Sequence, residues 1–285
     1  MLPVDLADVR RLVIIAMFSD DVLFGRLVLK GGNAISLVYR YGARGSLDVD
    51  FSLEGEFEDS EDAARRITRA LTDRFDAAGF VVFDYTFGPR PSIPTADAPK
   101  WGGYRIKFKI IEREKHRQLN GDPEAIRRNA AVVGPLQQRV FTIDISKWEY
   151  CAGKRETQLE EFTIYVYTPA MLALEKIRAI CQQMSEYPIR VAKTARARDF
   201  YDVHVIIAES KVDLAGRENL ELARLIFAAK EVPLELMGLM GNYKEFHRQD
   251  WPSVEATVGQ ELKPFDFYFD FVLGIVKTLE SLWKE

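Results

Sequence analysis

The stretch "LVLKGGNAISLVYRYGARGSLDVDFSL", residues 27–53, decides the fold of this chain. A short apolar run, "LVLK", stops at Gly31-Gly32, and a helical pattern begins at Asn33, a good N-cap residue. The run "LDVDFSL" then alternates apolar and polar residues, which is typical of a β-strand. The stretch therefore predicts a strand, a tight glycine turn, a helix and a second strand.

The second predicted strand carries two aspartates, Asp48 and Asp50. Because side chains alternate faces along a strand, both aspartates point to one face, and the apolar residues beside them anchor the other. Two close carboxylates repel each other unless a cation lies between them, and carboxylate oxygens suit Mg²⁺. We therefore expect a divalent cation at this pair. Two solvated acids on an exposed edge strand are the alternative.

The glycines before the helix predict a phosphate site beside the cation. Glycine allows a tight turn and a close approach of backbone to ligand, and the start of a helix offers N–H groups to phosphate. Gly31, Gly32 and Asn33 are therefore candidate phosphate-binding residues. An ordinary turn between a strand and a helix is the alternative.

A third carboxylate comes from the run "RVFTIDIS", in which Asp144 lies on the polar face of a predicted strand. An aspartate in such a strand is costly unless it is paired or liganded. If this strand neighbours the one with Asp50, Asp144 could help to position a metal ion and activate an incoming hydroxyl. A hydrogen-bonded aspartate at a strand end is the alternative.

The rest of the chain predicts a mixed α/β fold followed by helices. Helices are predicted over residues 5–19 and 59–79, and further strands over 80–87, 104–112, 139–146 and 161–168. After residue 168 the pattern is mostly helical. We therefore predict two lobes, residues 1–168 and 169–285, with a cleft between them.

Composition limits the classes of protein. Of 285 residues, 47% are hydrophobic and 29% are charged, as in soluble globular proteins. No apolar run approaches the roughly 20 residues of a membrane span, and no membrane association is expected. Cys151 and Cys181 form no CxxC pair, so neither a disulfide framework nor a structural zinc site is expected. The reducing cytoplasm is the expected location.

Charge is unevenly distributed along this acidic chain, whose net charge is −4. Residues 100–117 hold seven Lys/Arg against two Glu, and residues 190–198 hold four bases and no acid. Such local patches can bind polyanions on an acidic protein. Lys107 and Lys109 share one face of a predicted strand and could guide an acceptor nucleic acid, although solvated charges are the alternative.

No competing catalytic pattern occurs. The sequence lacks GxSxG, GxxxxGK[ST] and GxGxxG. Its three histidines, His116, His204 and His247, do not form an HExxH motif. These absences leave the acidic pair and the glycine turn as the main chemical signal.

Four elements, in order, resemble the AbiEii/AbiGii toxin family of nucleotidyltransferases, within the DNA polymerase β-like superfamily. They are Lys-Gly-Gly-x-Ala at 30–34, Arg-x-Ser-x-Asp-x-Asp-Phe at 44–51, Glu-Lys-x-x-Ala at 175–179 and Arg-Asp-x-Tyr-Asp at 198–202. Asn33 departs from the family, which usually has Ser or Thr there. The elements span residues 27–204, and residues 205–285 carry no matching motif.

The resemblance implies a nucleotidyltransferase-fold mixed sheet with flanking helices and roles for further residues. Lys176 would reach the triphosphate and neutralise the leaving pyrophosphate. Asp199 would orient Lys176 or a substrate group, and Asp202 would pair with Arg196 or Arg198. The catalytic set so implied is Asp48, Asp50, Asp144, Lys176 and Asp199, the metal set is Asp48, Asp50 and Asp144, and the nucleotide-binding set is Gly31, Gly32, Asn33, Arg44, Ser46 and Lys176.

The same resemblance implies a reaction and partners. The expected activity transfers a nucleoside monophosphate from an NTP to an acceptor hydroxyl, with Mg²⁺ or Mn²⁺. The implied acceptor is RNA, with tRNA 3′ ends as the leading candidate, and the implied role is a bacterial toxin opposed by an antitoxin protein. Transfer to a small molecule or a protein, a non-catalytic nucleotide- or partner-binding module, and a housekeeping role remain alternatives.

Overall fold

The computed structural model describes residues 5–42, 48–92, 100–133, 137–189, 192–258 and 261–284. The chain forms two compact units, each assembled from segments that are distant in sequence. The first comprises Met1–Asn33, Ser46–Lys147 and Glu156–Val166, and the second comprises Ala34–Gly45, Trp148–Arg155 and Tyr167–Glu285. Within the described ranges, no helix combines the length and apolar character needed to cross a membrane.

The compact units contain different residues from the two predicted lobes. A single boundary at residue 168 would place residues 34–45 and 148–155 with the N-terminal half, whereas their contacts group them with the C-terminal segment. Sequence periodicity detects local structure and carries no information on which distant segments pack together. The single-boundary division stays a prediction.

The first unit contains a mixed sheet of seven strands. The strands are β1 (Leu27–Lys30), β2 (Val49–Leu53), β3 (Phe80–Arg90), β4 (Gly103–Glu112), β5 (Phe141–Ser146), β6 (Arg155–Leu159) and β7 (Phe162–Val166). Their order is β3-β4-β5-β2-β1-β7-β6. β2 is antiparallel to β1 and parallel to β5, while β4 is antiparallel to β3 and β5. The predicted mixed α/β fold is confirmed.

Two strands differ from the prediction. β6 was not predicted, because its sequence "RETQL" lacks the apolar alternation of a half-buried strand. β3 was predicted to end at residue 87, where a glycine and a proline favour a loop, but it continues to Arg90. Pairing with β4 extends to Arg90 opposite Gly103, so hydrogen bonding between strands overrides the local turn signal.

Four of the six helices described in the first unit begin at aspartate caps. They are α1 (Leu6–Phe18), α2 (Asp21–Arg26), the single turn α3 (Gly31–Asn33), α4 (Ser60–Ala77), α5 (Arg113–Gln118) and α6 (Pro123–Arg128). Side chains of Asp5, Asp20, Asp59 and Asp122 accept backbone N–H bonds at the first turns of α1, α2, α4 and α6. Such caps satisfy donors that a helix start leaves open.

The two faces of the sheet have opposite character. Phe51 of β2 packs 5.8 Å, between ring centroids, from Phe18 of α1, and Phe108 of β4 packs 5.6 Å from Phe75 of α4. The alternate residues of the same strands, Asp50 in β2 and Lys107 in β4, point to the opposite face. Helices therefore cover the apolar face, and the charged side chains lie on the other.

The second unit is helical, as the sequence predicted. Its helices are α7 (Pro169–Cys181), α8 (Ala197–Ser210), α9 (Arg217–Ala228), α10 (Lys244–Arg248), α11 (Trp251–Glu255) and α12 (Phe265–Thr278). A π-helical turn, Ala34–Val38, also belongs to it. The helix predicted from Asn33 is therefore wrong in detail, because Asn33 ends α3 and a π-helical turn follows.

Phe51→Ala tests the assignment of the apolar face. The side chain is 0% exposed, so its removal should lower the free energy of unfolding by about 3–5 kcal/mol. Val22→Ala, at a position that is 46% exposed in the same unit, should change it by less than about 0.5 kcal/mol. Urea unfolding measures both, and equal small losses would contradict the assignment.

Candidate active site

Four charged residues lie side by side on one face of the sheet. In strand order they are Lys30 of β1, Asp50 of β2, Asp144 of β5 and Arg105 of β4. Directly paired residues of adjacent strands project from the same face, and the strands are about 4.8 Å apart. We call these four residues the charged row. The sequence left open whether the strand of Asp144 neighbours that of Asp50, and the structure pairs the two residues directly.

Gly31 lies directly against the carboxylate of Asp50. Its φ angle is +68°, and a Cβ added there would be 2.6 Å from Oδ2 of Asp50. Any side chain would therefore collide with the carboxylate and strain the backbone as well. The glycine turn thus ends β1 and brings its backbone to the charged row, as the sequence predicted from the Gly-Gly pair.

Asn33 makes two side-chain hydrogen bonds within the first unit, and its predicted contact with phosphate stays a prediction. Its side chain is 0% exposed. The amide Nδ2 donates to the backbone oxygen of Asp48 at 2.7 Å, and Oδ1 accepts from Nη1 of Arg10 at 3.3 Å. Asn33 therefore fixes the backbone of Asp48, immediately before β2. Its side chain thus links α1 to this backbone.

Arg44 and Ser46, the remaining predicted nucleotide-binding residues of this stretch, belong to residues 43–47, outside the described residues. Their contact with a triphosphate stays a prediction.

Two arginines hold the carboxylate of Asp144. Arg105 donates from Nε to Oδ1 and from Nη2 to Oδ2, both at 2.7 Å, and Arg90 donates from Nη1 to Oδ2. The two bonds from Arg105 form the bidentate geometry in which a guanidinium binds a carboxylate strongly. These contacts give no support to metal binding by Asp144, and that role stays a prediction.

Asp48 and Asp50 fit a magnesium site that the protein completes only in part. Mg²⁺ is usually held by one or two carboxylates together with substrate phosphates and water. Among the described residues, no group of three or more His, Cys, Asp or Glu side chains gathers as a metal site. The binding of a cation by Asp48 and Asp50 stays a prediction.

In the second unit, Lys176 lies between two aspartates. Its Nζ donates to Oδ1 of Asp199 at 3.0 Å and to Oδ2 of Asp202 at 2.7 Å. All three side chains are buried. The contact of Lys176 with Asp199 agrees with the predicted orienting role of Asp199. Asp202 pairs with Lys176, and its expected pairing with Arg196 or Arg198 stays a prediction.

Arg196 joins this cluster through the other oxygen of Asp199, to which its Nε donates. Burial alone would raise the pKa of Asp199, but Arg196 and Lys176 outweigh burial and hold that pKa well below its usual range. Asp199 is therefore ionised at neutral pH and holds two cations. The clusters of Asp50 and of Lys176 belong to different units.

His247 of α10 positions the backbone of Arg196. Its Nδ1 accepts the N–H of Arg196 at 3.1 Å, and the ring is 0% exposed. Burial lowers the pKa of His247 to about 4, against the attraction of nearby Asp199. The ring is therefore neutral, with Nδ1 as acceptor.

Sequence reasoning missed Arg105, Arg90, Arg10 and His247. Only Arg105 had a usable signal, because the alternation that places Lys107 and Lys109 on one strand face also includes Arg105. The partners of the others are distant in sequence. Arg90 meets a residue 54 positions away, and His247 meets one 51 positions away.

Three solved structures are similar to the chain at low sequence identity. The chain is similar to a crystallised H. pylori protein described as a nucleotidyltransferase, with 15% identity over 98% of this chain and 97% of that one and a TM-score of 0.47. It is also similar to JHP933 from Helicobacter pylori, with 13% identity over 97% and 92% of the two chains and a TM-score of 0.46. A third, an antigenic nucleotidyltransferase-like protein from Paracoccidioides brasiliensis, gives 12% identity over 88% and 94% and a TM-score of 0.38. No curated protein matches the chain.

The mixed sheet places the carboxylates of Asp50 and Asp144 side by side, and the glycine turn lies against Asp50. A family model described as "Nucleotidyl transferase AbiEii toxin, Type IV TA system" matches residues 13–271, so the chain belongs to this family. The resemblance recognised in the sequence is confirmed. Membership supports nucleotidyl transfer as the activity, a nucleotide as substrate and an antitoxin as partner.

Gly31→Ala tests the close contact with Asp50. The positive φ should cost about 1–2 kcal/mol in stability, and the new Cβ should displace the Asp50 carboxylate and abolish nucleotide transfer. Gly79→Ala is the matched control, because Gly79 has φ +85° and nothing lies within 4 Å of a Cβ there. Urea unfolding and incorporation of labelled nucleotide measure the two effects.

The control should lose similar stability and keep its activity. If Gly31→Ala transfers nucleotide as well as Gly79→Ala, the contact between the turn and Asp50 is not required.

His247 should make stability depend on pH. The folded pKa of about 4 lies below the ordinary histidine pKa of 6.5, so the unfolded chain binds more protons between these values. The contribution of His247 to the free energy of unfolding should be fully present above pH 6.5. It should fall by about 3 kcal/mol as the pH is lowered towards 4. The contribution of Asp199 falls only below its ordinary pKa, about 3.9, and is thus separate.

His247→Asn keeps an acceptor near the position of Nδ1 but cannot be protonated in this range. Thermal unfolding from pH 7 to 4 should show a smaller loss for this variant than for the parent. Parallel curves would show that His247 does not titrate in this way.

Proposed function

We propose that this chain transfers a nucleoside monophosphate from an NTP to the 3′ hydroxyl of an RNA acceptor, with tRNA as the leading candidate. The observation that carries the proposal is the contact between the Asp50 carboxylate and the Gly31 turn. It leaves no side chain between the acidic pair and an incoming phosphate. The proposed acceptor would place the reaction in the cytoplasm.

Asp48 and Asp50 are the proposed ligands of Mg²⁺ or Mn²⁺. Asn33 supports this role by fixing the Asp48 backbone, and Gly31 supports it by confining the Asp50 carboxylate. When bound, the cation would supply Lewis-acid neutralisation of charge on the phosphates. Through this cation, Asp48 and Asp50 would hold the phosphates of the substrate beside the glycine turn.

The triphosphate is proposed to bind along the glycine turn. Gly31 and Gly32 permit a close approach of backbone to phosphate, and Lys30 adds a positive charge at the end of the charged row. Arg44 and Ser46 are proposed to extend this site from the following segment. Cationic groups here would stabilise the charge that develops on the leaving pyrophosphate.

The proposed reaction is an in-line displacement at the α-phosphorus. The acceptor oxygen forms a bond to the α-phosphorus, the bond from that atom to the bridging oxygen breaks, and pyrophosphate leaves with the bonding electrons. The proton of the hydroxyl passes to a base or to water. The chain supplies binding and positioning, which account for most of the catalysis of phosphoryl transfer.

Lys176 and Asp199 are proposed to act on the triphosphate. Asp199 holds Nζ of Lys176 at 3.0 Å and is itself held by Arg196. A lysine oriented in this way is suited to neutralise a phosphate. We propose that Asp199 orients Lys176 and that Asp202 supports the same geometry.

As a toxin, the chain would block translation by modifying tRNA, and a separately encoded antitoxin would oppose it. Growth arrest on expression is then a consequence of catalysis. Asp48→Ala should relieve the arrest at equal protein level. An arrest as strong as that of the parent would show that toxicity does not depend on nucleotide transfer.

The activity is tested with each NTP labelled at the α-phosphate, total tRNA, and Mg²⁺ or Mn²⁺. We expect label in tRNA with at least one NTP, and a loss of about 10²-fold or more in Asp50→Asn. Asp73→Asn on α4, with a side chain 70% exposed, is the control and should stay active. No incorporation by the parent under any condition would refute the activity, and full activity of Asp50→Asn would refute the site.

A further inference from the structure

The carboxylate of Asp144 is bound by more positive charge than it carries. Arg105 binds both of its oxygens, and Arg90 binds Oδ2 as well. One carboxylate between two guanidinium groups leaves one excess positive charge at this point. A divalent cation at Asp144 would face both arginines, so the contacts favour anion binding here over metal binding.

The positive surface continues along β4. Lys107 follows Arg105 at a spacing of two, so both project from the same face. Lys107 is exposed, and among the described residues no carboxylate forms an ion pair with it. Lys109, one step further, is instead paired with Asp84 at 3.0 Å. Arg105 and Lys107 are thus the part of β4 that can face a polyanion.

The neighbouring strand leaves room above these bases. Gly88 and Thr86 of β3 lie opposite Arg105 and Lys107. A Cβ added at Gly88 would meet nothing within 4 Å. Arg90, at the end of β3, is 54% exposed although it also binds Asp144. We call Arg90, Arg105 and Lys107 the basic face.

The order of the strands indicates which substrate this face receives. The glycine turn follows β1, on one side of β2, whereas Asp144 and the basic face lie on β5, β4 and β3, on the other side. An in-line displacement requires the attacking and leaving oxygens on opposite sides of the phosphorus. If pyrophosphate leaves at the glycine turn, the acceptor approaches from the basic face. This step rests on the proposed function.

We propose that the basic face binds the phosphate backbone of the acceptor RNA, and that Asp144 is a positioning residue that holds Arg105 and Arg90 in place. Asp144 then acts through the arginines and does not bind metal. Its single charge orients two guanidinium groups without cancelling them. Phosphate contacts of this kind position a nucleic acid without reading its sequence.

Binding of RNA without metal or NTP tests the basic face. The probes are a labelled single-stranded RNA and labelled bulk tRNA, measured by fluorescence anisotropy in EDTA over a range of salt concentrations. Lys107→Gln should weaken binding about 5- to 10-fold and reduce the salt slope by about 1. Arg69→Gln on α4, with a side chain 85% exposed, removes one charge elsewhere in the same unit and should change affinity less than about twofold.

Equal affinities for these two variants would overturn the basic face as an RNA surface. So would binding of purified antitoxin that depends on Lys107 while RNA binding does not.

Steady-state kinetics test Asp144. Asp144→Asn and Arg105→Gln should each lower kcat/KM for RNA about tenfold. The double variant should have the same kcat/KM as either single variant, because both substitutions break the same ion pair. Removing a negative charge would by itself favour a polyanion, so a fall reports lost positioning. The Mg²⁺ concentration for half-maximal activity and the KM for NTP should not change. Arg105→Lys should recover part of the activity.

A rise of tenfold or more in the Mg²⁺ requirement of Asp144→Asn, with additive effects of Arg105→Gln, would show that Asp144 is a metal ligand. A loss of RNA binding in Lys107→Gln is not expected to come from misfolding, because the substitution breaks no ion pair among the described residues. If the parent transfers no nucleotide, the proposed function fails, whereas the anisotropy measurement still decides whether the basic face binds RNA.

Discussion

The site depends on how closely the Asp50 carboxylate approaches the backbone of Gly31. A Cβ at that glycine would lie 2.6 Å from the carboxylate oxygen, so only glycine allows both groups their positions. Lys30 precedes this contact and Asn33 follows it, with the Asn33 amide fixing the backbone of Asp48. One steric constraint therefore determines where the turn, the acidic pair and the charged row lie.

The two units place charge in different environments. In the first, helices cover the apolar face of the sheet, and the charged row lies on the face they leave. In the second, Lys176 is enclosed with Asp199 and Asp202, and Arg178 is enclosed with Glu149 at 2.8 Å. Enclosed ion pairs recover their desolvation cost only when the geometry is good, so they favour one arrangement of side chains more than they add stability.

Alternation and turn chemistry made much of the first unit predictable. They indicated β2, β4, β5, α1 and α4, and they placed Asp144 on the polar face of its own strand, because a period of two is a local property. They could not indicate that Asp144 binds Arg105, 39 positions away, or that Asn33 binds Arg10, 23 positions away. Such contacts depend on the order of strands and on helix packing, which one sequence does not encode locally.

The interleaving of the units has a consequence for biosynthesis. β5 and β7, the neighbours that enclose the β2–β1 pair, end at residues 146 and 166, and Asp202 comes later still. Because a chain emerges from the ribosome N-terminus first, Asp50 is made long before the strands and helices that complete its surroundings. A nascent copy therefore lacks the strands that flank the β2–β1 pair until residue 166 has been made.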